Sequence, residues 1–106
     1  MNRKSAKDIG NKYINLPEPI AEILRNYCNP KALELSGRIG EDILSGSIPK
    51  ETAKLFREQL REATNGKLLT PEQYKLITGD NEYNTPEKLQ LWMHELWQIT
   101  FPNDSL

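Results

Sequence analysis

The chain has 106 residues, 37% of them hydrophobic and 27% charged, with a formal net charge of −1, which fits one soluble globular domain whose modest core needs no cross-link. No apolar run approaches the roughly 18 residues of a membrane span, and the basic opening MNRKSAKDIGNK has no apolar segment behind it to make a secretory signal. The single cysteine, Cys28, excludes an internal disulfide, so the expected location is cytoplasmic.

Charge is unevenly distributed. Residues 1–12 hold Arg3, Lys4, Lys7 and Lys12 against Asp8, a balance of +3, and read as a basic N-terminal tail with a composition that permits disorder. Residues 13–67 are balanced. Residues 68–106 hold Lys75 and Lys88 against Glu72, Asp80, Glu82, Glu87, Glu95 and Asp104, a balance of −4. The expected layout is a helical domain over 13–101 and a short C-terminal tail over 102–106.

Prolines and capping side chains predict an all-α single domain, a compact bundle of five helices at about 18–27, 30–44, 49–64, 71–78 and 86–100. Proline is favoured at a first helical position, and Asn29, Thr70 and Thr85 each precede one as a capping residue. Thr70 adds Gln73 three positions on, a capping box. Gly46, Gly66 and Gly79 follow the apolar runs as left-handed caps.

The first predicted helix ends at Cys28, among apolar neighbours, which reads as packing. In the second, Ala32, Leu35, Ile39 and Ile43 share a face at the 3.6-residue period. Its interior Gly37 and Gly40 imply either close approach of another helix or a break near Gly37. Glu41 and Asp42 read as solvated charges. The third presents Ala53, Phe56, Leu60 and Ala63 on one face and a basic stripe of Lys50, Lys54, Arg57 and Arg61 on another. That stripe, with the N-terminal arm, supports an alternative reading as a small helical transcriptional regulator or nucleic-acid-binding module. Glu51, Glu58 and Glu62 run beside it and would repel phosphate, so nucleic acid is not the expected partner.

The last two helices flank the loop GDNEYN, with Asp80 and Glu82 expected to be exposed. In a calcium loop Asp80, Glu82 and Asn84 would supply positions one, three and five, but Thr85 replaces the turn glycine and Leu91 the bidentate carboxylate. His94 and Cys28 alone are too few for a zinc site of the usual kind. No metal, cofactor or catalytic constellation is expected. What the segment offers is an acidic rim of Glu72, Asp80, Glu82 and Glu87 around Tyr83, a residue type that anchors interfaces. The fifth predicted helix places Leu89, Trp92, Leu96 and Ile99 on its inner face. Met93 and Trp97 lie beside them, and Trp97 and Phe101 are left open between core and interface. His94 falls on the polar side with Glu87, Gln90 and Gln98.

The stretch LLTPEQYKLITGDNEYNTPEKLQLWMHELW, about a third of the chain, resembles the C-terminal helices of small helical bacterial immunity proteins. These accompany contact-dependent growth-inhibition toxins and related bacteriocins. The shared elements are a Thr-Pro-Glu helix start with a tyrosine four residues after the threonine, an acidic loop, and a closing helix ending in Leu-Trp. The resemblance implies a non-enzymatic cytoplasmic protein. Its partner would be a cognate toxin domain, in many cases a nuclease with a basic cleft that an acidic surface complements.

Overall fold

Proline, threonine and glycine set the helix boundaries in the computed structural model, which describes residues 16–106. Among the described residues five α-helices follow in order: α1 (Ile20–Tyr27), α2 (Ile39–Ser45), α3 (Lys50–Thr64), α4 (Pro71–Thr78) and α5 (Pro86–Thr100). A 3₁₀ segment over Pro30–Arg38 joins α1 to α2, and there is no strand among the described residues. The fold is an all-α single domain. The basic tail over 1–12 lies outside the described residues.

The two Thr-Pro-Glu triplets are two helix starts. Thr70 Oγ1 accepts from the Gln73 backbone N–H at 3.1 Å, and Gln73 Oε1 accepts from the Thr70 N–H at 2.9 Å, closing the capping box. Thr85 Oγ1 accepts from the Lys88 N–H at 3.2 Å. Gly46 and Gly79 end their helices at φ of 87° and 81°, where a Cβ would be strained. The start of α1 is different: Pro19 occupies its N-cap and offers no side-chain acceptor. Gln59 of α3 supplies one, its Oε1 accepting from Ile20 N–H at 2.9 Å while its Nε2 donates to the Glu18 carbonyl at 3.0 Å. Gln59→Ala removes both bonds. It is expected to lower stability by about 1–2 kcal/mol, within the range for a lost cap, and a urea titration showing no change would contradict this role.

The second predicted helix divides in two. The turn is 3₁₀ up to Arg38 and α from Ile39, so the break near Gly37 is present. Close packing is present as well: a Cβ on Gly40 would stand 3.1 Å from the Thr100 carbonyl of α5, whereas one on Gly37 would meet nothing within 4 Å. The break also corrects the expected core. An α-periodic face does not continue through a three-residue turn, and Ile39 is fully buried while Leu35 and Ile43 are only half-buried. The Ala32 side chain lies outside the described residues.

The centre is the α3–α5 pair, with α1 packed on α3 and α4. Ala53, Phe56, Leu60 and Ala63 are buried as their spacing predicts, in one core with Ile20 and Leu24 of α1 and with Tyr74 and Ile77 of α4. In α5 the inner face is turned from the expected one. Leu89, Met93, Leu96, Trp97 and Thr100 are buried, Trp92 is half-buried and Ile99 is 47% exposed. Trp97, at 2% exposure, is core. Gln90, expected on the polar side, donates its Nε2 to the Thr64 carbonyl at 2.9 Å and ties α5 to the end of α3. His94 is half-buried rather than solvated.

Candidate functional site

The acidic loop is built onto the core by its neighbours in sequence. Thr78 Oγ1 donates to the Tyr74 carbonyl at 2.9 Å and accepts from the Asp80 N–H at 3.0 Å. Asp80 Oδ1 accepts from the Glu82 N–H at 2.8 Å, a turn made by an aspartate side chain. Asp80 is therefore half-buried and structural, not freely exposed as expected, whereas Glu82 is exposed. This fixed turn delivers Tyr83 onto two aromatic neighbours. Its ring stacks on Trp92 at 5.3 Å with a 6° interplanar angle and meets Tyr74 edge-on at 5.6 Å. Trp92 Nε1 donates to Tyr74 Oη at 2.8 Å. Aromatic pairs of this geometry contribute about 0.5–1.5 kcal/mol beyond their buried area, so the loop is held on a rigid platform. Tyr83 is consequently part of the fold as well as of the surface.

Beside this platform runs a groove lined by Glu82, Tyr83, Lys88, Leu91, Trp92 and Glu95. Pro30, Gly79, Asp80, Asn81 and Glu82 line a second hollow at the start of the loop. The structure thus brings Asp80, Glu82 and Tyr83 together. Glu72 and Glu87 stand exposed in the first turns of α4 and α5 and line neither hollow. There they favour the positive end of the helix dipole. Sequence reasoning missed Lys88, Leu91 and Glu95, which share a face with Trp92 at steps of three, one and three. The available signal was Leu91, an apolar residue outside the buried stripe that is 67% exposed.

The basic stripe of α3 is partly engaged by the chain itself. Arg57 Nε donates to Asp104 Oδ2 at 3.1 Å, and the Arg57 guanidinium lies 5.4 Å from the Trp97 ring centroid. Arg61 lies over the same ring at 5.5 Å. Trp97 Nε1 donates to the Asp104 carbonyl at 2.9 Å, so the segment after α5 folds back over this seam. Lys50 and Lys54 remain exposed.

Elsewhere, Glu41 is exposed beside Arg38 at 3.9 Å, as a solvated charge should be. Asp42 departs from that expectation: it is half-buried and accepts a hydrogen bond from the Tyr27 hydroxyl. Among the described residues no three His, Cys, Asp or Glu side chains are grouped as metal ligands would be.

The hydroxyls of half-buried Tyr27 and Tyr83 and of buried Tyr74, and the buried Cys28 thiol, hold their protons unusually tightly. Burial, then the Asp42 carboxylate, push Tyr27 up to about 12. Burial, then the carboxylates of Glu82, Asp80 and Glu95, push Tyr83 up to about 12. Burial pushes the Cys28 thiol to about 12 against the opposing pull of the Tyr74 hydroxyl, and burial raises Tyr74 further still. An unfolded chain releases these protons near the ordinary values of 9.0 for cysteine and 10.0 for tyrosine. Between those values and 12 the folded state binds more protons, so stability is full below pH 9 and falls as pH rises towards 12. Urea midpoints measured from neutral pH upward should decline in that window, with phenolate absorbance appearing together with unfolding. A midpoint that stays flat through the window would contradict the burial of these groups.

No protein family, curated protein or solved structure matches this chain.

Proposed function

We propose that this chain is a non-catalytic protein-binding module of the immunity class, which binds a cognate bacterial toxin domain through its acidic loop. The observation that carries this reading is the loop itself. Glu82 projects from a turn fixed by Thr78 and Asp80, on a platform of Tyr83, Trp92 and Tyr74. A binding loop held by a rigid scaffold loses little freedom on association. The −4 balance of residues 68–106 matches a basic partner, such as the cleft of a nuclease, and would speed the encounter. The resemblance of the stretch from Leu68 to Trp97 to immunity proteins points the same way. The nucleic-acid alternative draws less support, because Arg57 and Arg61 lie over Trp97 and Arg57 is paired with Asp104.

The reading places a secreted-toxin gene beside the gene for this chain. Co-expression with the toxic domain of that neighbour should restore growth, and the two proteins should co-purify. Growth arrest despite full expression, with no complex formed, would overturn the reading.

A further inference from the structure

We propose that the groove on α5 takes an arginine side chain of the partner, its guanidinium lying against Trp92 between the carboxylates of Glu82 and Glu95. This deepens the immunity reading and rests on it for the identity of the partner as a protein. The groove has an apolar wall of Leu91, Trp92 and Tyr83, and at its edges two carboxylates stand against the single ammonium of Lys88. That ammonium is directed along the helix to Asn84 Oδ1 at 3.5 Å. Neither Glu82 nor Glu95 has an ion-pair partner among the described residues.

The chain's two tryptophans make the argument specific. Trp97 has two of the protein's own guanidinium groups over its ring, Arg57 at 5.4 Å and Arg61 at 5.5 Å. Trp92 has Tyr83 stacked on one face and no cation of this chain over its ring among the described residues, and it is half-buried in a groove that Glu82 and Glu95 also line. An indole attracts cations to its face, and more strongly where water is excluded. Arginine fits better than lysine. Its planar head is weakly hydrated, stacks on an aromatic ring and donates in a fork to carboxylates at its edge. Its aliphatic stem would lie along the exposed Leu91.

The test uses the full chain, labelled with ¹⁵N, and short acetylated tetra-arginine, tetra-lysine and tetra-glutamate amides as probes. The two tryptophans give two indole N–H signals. Tetra-arginine should shift the Trp92 signal saturably and leave that of Trp97 in place. Tetra-lysine should bind about threefold more weakly, and tetra-glutamate should have no effect. Glu82→Gln combined with Glu95→Gln should weaken tetra-arginine binding about fivefold without changing the melting temperature. A Trp92 signal that stays still, or that moves no more than that of Trp97, would overturn the assignment. Growth protection read alongside separates the two claims. Protection with a silent groove removes only the arginine site, whereas arginine binding without protection supports the groove and removes the immunity reading.

Discussion

Replacing Trp97 with alanine is expected to lower stability by about 3–5 kcal/mol, the range for losing a buried large aromatic. The ring is 2% exposed at the α3–α5 seam, packs against Phe101 at 4.9 Å and donates its Nε1 to the Asp104 carbonyl. Its removal opens a cavity, frees Arg57 and Arg61 from the surface they cover, and releases the segment after α5. For a domain of this size such a loss is a large part of the whole folding free energy. Trp97→Phe, which keeps most of the apolar volume, should cost clearly less. Leu60→Ala, from the opposite side of the same seam, should cost about 2–5 kcal/mol. Thermal and urea unfolding measure all three, and a Trp97→Ala loss below about 1 kcal/mol would mean that the seam between α3 and α5 is wrongly drawn.

The second large effect is kinetic. Glu82→Lys together with Glu87→Lys should slow association with the proposed toxin partner by about tenfold or more at low salt. The melting temperature should change little, because both side chains are exposed. Long-range steering depends on the summed field, so the difference between variant and wild type should shrink as salt is added. Asp80 is left out of the reversal because its carboxylate accepts from the Glu82 N–H, and a lysine there would undo the turn. Tyr83→Ala is a poor probe for a related reason. It removes the stacking partner of Trp92 and the edge contact to Tyr74 along with any contact to the partner. Association rates unchanged in the double variant would place the interface elsewhere.

Much of the fold is readable in the sequence because local rules set it. The threonine caps, the glycine stops and the apolar stripe of α3 depend on residues within a few positions of one another, and each appears where its spacing puts it. The errors arise where a distant residue decides. No local signal tells that Gln59 caps α1 from 39 positions away, or that Gln90 turns inward to Thr64. Spacing alone does not select the inner face of α5, because Trp92, Met93, Leu96 and Trp97 are apolar around most of the helix and packing on α3 decides among them. Asp42 reads as a surface carboxylate until Tyr27 is placed beside it. In the candidate site the charge and the tyrosine were legible. The groove was not, since it needs both the loop and the outer face of α5.

Hydrogen–deuterium exchange of the complex with the toxin domain proposed as partner tests the location of binding most directly. The structure-based account predicts slowed exchange over residues 79–95, which covers the acidic loop and the groove, with the α3 stripe from Lys50 to Arg61 unchanged. Slowed exchange confined to the α3 stripe, with residues 79–95 exchanging as in the free protein, would contradict it.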